Sequence, residues 1–176
     1  MFSIFPFLKT SIKKTFQPNI LNKKCYKIIF IGTENLENED PKLHFVKIPD
    51  SCFTNLLEIF NEIIKDLDEI KTKYENELKN NPKSLKENQL LLYSSNYEIL
   101  NGILICFLLF RMDFTIEQIL NNFSVDFIVS NSFLFNQILQ IEKIVRNQNS
   151  ITYDDILEHI QEKNSKKWKS VKMKLN

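Results

Sequence analysis

The residues best placed to do chemistry run from Tyr93 to Asn101. There the apolar segment Gln89-Leu-Leu-Leu-Tyr-Ser94 gives way to Ser95-Asn96-Tyr97-Glu98, then to an almost wholly apolar stretch from Ile99 to Phe110. A buried strand, a loop of about five residues and a buried helix form an anion-binding geometry, because loop N–H groups point inward and the helix N-terminus carries partial positive charge. Ser94 places a hydroxyl at this junction. An alcohol is not ionised by the modest pKa shift such a site supplies, so attack by Ser94 would need a general base. The two histidines, His44 and His159, lie elsewhere in sequence. Ser94 and Ser95 can also simply end the strand and cap the following helix. Asp50, ahead of a helical stretch, is read as a capping or loop carboxylate. Cys25, Cys52 and Cys106 are unevenly spaced and form neither a disulfide framework nor a Cys-x-x-Cys metal site. They read as reduced packing thiols, and no metal or cofactor is implied. Only Gly32 and Gly102 occur, which argues against a glycine-rich phosphate loop.

The elements that must position this junction follow from hydrophobic patterning. Lys27-Ile-Ile-Phe-Ile31 is a β-branched and aromatic run, apolar on both faces and closed by Gly32, as in a strand inside a covered sheet. His44 to Ile48 is a further strand candidate, ended by Pro49-Asp50. Phe2, Ile4 and Phe7 suit an edge strand; the acid-free start of the chain also resembles a targeting peptide, but it lacks Arg and contains Pro6, so the strand is preferred. From Thr54, the residues Leu56, Leu57, Phe60, Ile63, Ile64, Leu67 and Ile70 share one helical face. A polar continuation carries that helix outward as far as Pro82. Further helices are expected after Thr115, a plausible N-cap, over about Ser132 to Arg146, and from Thr152. Interleaved strands and helices predict an α/β fold with a central, mostly parallel sheet and helices on both faces. Residues 1–147 form the domain, and 148–176 a C-terminal helix and lysine-rich tail.

Around the junction the chain resembles the dual-specificity protein phosphatases of the cysteine-dependent tyrosine phosphatase superfamily. Their strand ends in His-Cys, followed by x-x-Gly-x-x-Arg and Ser or Thr, and the matching stretch here is Tyr93 to Asn101. Ile48-Pro49-Asp50, then Thr54-Asn55-Leu56 and Phe60, looks like the family's acid loop and the helix after it, with Asp50 at the general-acid position. Asn131-Ser-Phe-Leu-Phe-Asn-Gln137-Ile138 is similar to its closing Asn-Pro-Gly-Phe-x-x-Gln-Leu pattern. The likeness covers roughly residues 2–147 and implies a dual-specificity phosphatase-like fold.

The departures bear on function. Ser94 stands at the nucleophile position, Tyr93 at the neighbouring histidine, and Leu100 at the phosphate-clamping arginine. An aliphatic side chain cannot bind phosphoryl oxygens or stabilise transferred charge. Tyr97 replaces a glycine, which would be strained if the position required positive φ. Glu98 adds a carboxylate; at about 5 Å and an effective dielectric near 20, each unit of like charge costs about 3 kcal/mol before screening. The degenerate loop positions are therefore Ser94, Ser95, Asn96, Tyr97, Glu98, Ile99, Leu100 and Asn101, with Tyr93 and Tyr97 available to fill the vacated pocket. The resemblance implies a pseudophosphatase, an interaction module for a kinase, a phosphoprotein or an active phosphatase in phosphorylation signalling. The alternative is an active phosphatase with a non-standard site.

With 176 residues, 43% apolar and 26% charged, the chain has the composition of one globular domain. Its net charge of +1 gives no bulk field for nucleic acid or membrane. No apolar run approaches the roughly 20 residues that span a bilayer. The tail from Lys163 holds six lysines, Trp168 and no carboxylate; it is expected to be mostly solvated, with weak contact to anionic lipid or RNA as the alternative. Cysteine usage suggests a protein of the cytoplasm or nucleus.

Overall fold

Two runs that are apolar on both faces sit at the middle of the sheet. In the computed structural model, β3 is Lys27–Gly32 and β5 is Leu90–Ser94, and every residue of β5 is buried. The structure describes residues 2–5, 7–12, 25–34, 40–49, 54–80, 89–122 and 132–152, with Asp154, Asp155, Leu157, Glu158 and Gln161 beyond them. Asp50, Cys52, Pro82, Asn131, His159 and the tail from Lys163 lie outside the described residues. The remaining strands are β1 (Phe2–Phe5), β2 (Leu8–Ile12) and β4 (Leu43–Lys47). The order across the sheet is β1-β2-β5-β3-β4, with β1 antiparallel to β2 and all other pairs parallel. The fold is α/β with a mostly parallel sheet, as the patterning predicts. The first apolar segment forms two strands where one is expected, because the chain folds back through Phe7 before Leu8-Lys-Thr-Ser-Ile12 pairs with β5.

The helices are α1 (Leu56–Asn80), α2 (Tyr97–Arg111), α3 (Ile116–Asn122) and α4 (Ser132–Arg146). In α1 the buried residues are Leu56, Ile59, Phe60, Ile63, Asp66, Leu67 and Ile70, with Leu57 and Ile64 at the margin of the core. Its apolar residues recur at the three- and four-residue spacing of a helix laid on a core, each fully buried one contributing about 1.5–3 kcal/mol. Helix α2 is buried continuously from Ile99 to Leu109. Gly102 sits where a Cβ would lie 2.7 Å from Leu56 Cδ1, so its missing side chain sets the approach of α1 to α2. A reciprocal capping box starts α3: the Gln118 N–H donates to Thr115 Oγ1 at 3.1 Å, and the Thr115 N–H to Gln118 Oε1 at 2.9 Å. Thr152 and Asp155 repeat the arrangement at the last described helical segment.

Alternation along the strands separates the two faces of the sheet. Ile29, Ile31, Val46, Leu90 and Leu92 join the buried side chains of all four helices in one core. Ile28, Phe30, Leu91 and Tyr93 form a second cluster on the other face, with Cys25, Leu43 and Phe45 against it. No described helix contributes to that second cluster, so helices on both faces are not what the described residues present. An apolar strand demands cover on both sides but does not specify what kind of element supplies it. No described helix is long and apolar enough to cross a membrane.

Candidate functional site

Ser94 ends β5 level with Ile31 of β3 and Ile12 of β2, at the C-terminal edge of three adjacent parallel strands. Parallel sheets bind ligands outside such edges, so the topology puts the expected junction where a site belongs. The turn itself differs from expectation. It holds two residues, Ser95 and Asn96, and α2 begins at Tyr97, so positions 97–101 are helical. Asn96 explains the early start. Its backbone is extended (φ −124°, ψ 121°), and its Oδ1 accepts the Glu98 N–H at 2.8 Å, an N-cap that starts the helix before any wider loop can form.

Several backbone donors around the turn are engaged within the chain. The Ser95 N–H donates to the Ile31 carbonyl at 3.1 Å, continuing the ladder past the strand end. The Asn96 N–H donates to Ser94 Oγ at 3.1 Å, and the Leu100 N–H to the Asn96 carbonyl at 3.2 Å. Glu98 lies in the first turn of α2, so the helix's positive end already has a carboxylate beside it. Ser94 is fully buried. Leu100, 4% exposed, is part of the main core along with Ile99, and Asn101 is buried nearby.

Tyr97 does not fill a pocket; it is 45% exposed, and its hydroxyl donates to Glu98 Oε1 at 3.3 Å. It is not strained either: positive φ outside glycine occurs, among the described residues, only at Asp113 and Asn147. Tyr93 is buried, but on the face of the sheet away from the described helices. His44 sits two strands from Ser94 and level with Ile29. Its Nδ1 lies 2.5 Å from Asp66 Oδ2 and its Nε2 3.3 Å from Glu62 Oε1, so it is not presented to Ser94. Cys106 is wholly buried in α2, and burial pushes its thiol up to about 12, as expected of a packing residue.

No protein-family model matches this chain, and no curated protein does.

Three polar arrangements tie the surrounding elements together. Gln137 is the first: its Oε1 accepts the Leu56 N–H at 2.9 Å, and its Nε2 donates to the Thr54 carbonyl at 2.8 Å. Together with Asn55, whose Oδ1 accepts the Leu57 and Glu58 N–H groups, it caps α1. Glu142 is the second and is fully buried. It accepts the Ile116 N–H at 2.8 Å, the Ser150 N–H at 2.9 Å and the Ser150 hydroxyl at 2.7 Å. The third is Asp66, which pairs with Lys27 and His44 and ties α1 to β3 and β4. The signal for Asp66 and Glu142 was a carboxylate at core spacing on an amphipathic helix, three residues after Ile63 and four after Ile138.

Proposed function

We propose that this protein is a non-catalytic, dual-specificity phosphatase-like module that works by binding a protein partner. The reading is supported most by one observation: the Ser95 and Asn96 N–H groups of the turn and the Glu98 N–H at the start of α2 are satisfied internally, and a glutamate stands at the helix end that would otherwise attract phosphate. A phosphate-binding loop keeps such donors convergent on its ligand, and a transferring enzyme adds a cation to offset developing charge. Here the position matched to that cation is Leu100, packed in the core. A protein with this scaffold and without that chemistry acts through its surfaces, and the partner class, a kinase, phosphoprotein or active phosphatase, comes from the resemblance alone.

The test is hydrolysis of an aryl phosphate by the full chain, beside Ser94→Cys with Leu100→Arg. Neither protein is expected to turn over substrate, since the paired substitution restores residue types without opening the turn. Turnover by the wild type that disappears in Ser94→Ala would establish the active-phosphatase alternative instead. Amide NMR gives an independent check: inorganic phosphate should leave the Ser95, Asn96 and Glu98 resonances unmoved.

A further inference from the structure

We propose that the outer face of α4 is a self-association surface through which two copies of this chain pair antiparallel. The inference does not depend on the phosphatase reading. A groove of about 560 Å³ runs along α4 beside the start of α1, lined by Phe133, Gln137, Gln140 and Ile144 with Asn55 and Leu57 among its other walls. No described residue lining it is charged. Phe133 is 40% exposed and Ile144 is 69% exposed, the latter the most exposed large apolar side chain among the described residues.

The spacing of the four α4 residues identifies the occupant. Phe133, Gln137, Gln140 and Ile144 follow one another at intervals of four, three and four, the repeat of a coiled-coil seam. The strip also maps onto itself when reversed about the point between Ile138 and Leu139. Phe133 then meets the partner's Ile144 at both ends, and Gln137 meets the partner's Gln140 at the centre. Apolar side chains oppose apolar ones, and carboxamide opposes carboxamide. Gln137 uses one lone pair and one N–H on Leu56 and Thr54, which leaves one of each for a facing amide. A polar pair at the middle of a seam fixes its register. Lys143 lies about 100° around the helix from Ile144, off the seam, so no like charges meet across the axis. A surface that complements itself in this way generates a closed two-fold dimer. Because a standard interface covers about 800 Å² per partner and this strip is narrower, the dimer is expected to be weak.

Sedimentation of the full chain from roughly 10 to 500 µM reads this directly, in the range where small interfaces dissociate. The wild type should show a reversible monomer–dimer equilibrium. Ile144→Glu alone and Phe133→Lys alone should each raise the dissociation constant at least tenfold, and Ile144→Glu should melt as the wild type does, since that position is 69% exposed. The doubly substituted chain should regain most of the association, because each new ammonium then faces a new carboxylate across the seam. A 1:1 mixture of the two single variants should form mixed dimers. A wild type that stays monomeric throughout would overturn the proposal and leave the groove to a different partner. Dimerisation indifferent to Ile144→Glu, or single losses that the double variant does not rescue, would overturn the antiparallel seam.

Discussion

Replacing Glu142 by glutamine changes one oxygen to an amide nitrogen in a fully buried setting, which makes the outcome calculable. The carboxylate serves three donors: Oε1 takes the Ile116 N–H and the Ser150 hydroxyl, and Oε2 takes the Ser150 N–H. A carboxamide oxygen in the Oε1 position keeps two of these bonds, but its NH2 then confronts the Ser150 N–H. Leaving a buried donor unpaired costs about 1–3 kcal/mol, and the two surviving bonds lose their charge assistance. Relief from burying a charge offsets part of this. The net expectation is a loss of about 2–4 kcal/mol, or a fall in melting temperature of about 5–12 °C for a chain of this size. Urea unfolding followed by circular dichroism measures it, with an unchanged denaturant slope showing that the states compared are the same. Glu142→Leu, which strands all three donors, should lose more. Combining Glu142→Gln with Ser150→Ala should be less than additive, since both act on one network. A glutamine variant within about 0.5 kcal/mol of the wild type would refute the reasoning, because the charge would then carry no weight in joining α3, α4 and the turn at Ser150.

Other outcomes follow from the same contacts. Gln137→Leu should cost about 1–3 kcal/mol by leaving the Leu56 N–H without its side-chain acceptor and removing the bond to the Thr54 carbonyl, as measured by urea unfolding. Gly102→Ala gains about 1 kcal/mol of helix propensity but forces Leu56 aside at a cost of about 1–3 kcal/mol, so a net loss near 1 kcal/mol is expected in a thermal melt. Asp155 is held below the usual aspartate range by its hydrogen bonds from the Thr152 side chain and N–H. A depressed carboxyl stabilises the fold above its unfolded value and ceases to as pH falls through the lower folded one, so this cap should outlast ordinary aspartates on acidification. NMR titration should show Asp155 moving upward in Thr152→Ala.

Much of the fold is legible in the order of residues, for identifiable reasons. The runs at Lys27–Ile31 and Gln89–Ser94 are apolar on both faces, which only a covered strand satisfies, and both are interior strands. The seven-residue stripe from Leu56 to Ile70 and the span Ser132–Arg146 carry the helical period, and both form helices. The division of the first apolar segment into β1 and β2 was not legible, because Leu8-Lys-Thr-Ser-Ile12 is short and its pairing with β5 is set some eighty residues away. At the site, the position of Ser94 at the end of a buried strand was legible, but the length of the turn was not. That length depends on Asn96 acting as N-cap, a choice decided by one side-chain torsion and one backbone conformation rather than by composition. In the sequence Gln137 stands out by its place in a pattern, and the contact with Thr54 and Leu56 gives it a physical task.

The Gln137 bridge also bears on the order of assembly during synthesis. The first N–H of α1 finds its side-chain partner 81 residues downstream, and the Thr54 carbonyl finds its own 83 residues downstream. While the chain is still emerging from the ribosome, the opening turn of α1 has, of these side-chain caps, Asn55 but not Gln137, and docking waits until α4 has been made. A nascent chain halted before Gln137 should therefore show a frayed, protease-accessible entry to α1 that anneals only once translation has passed the fourth helix.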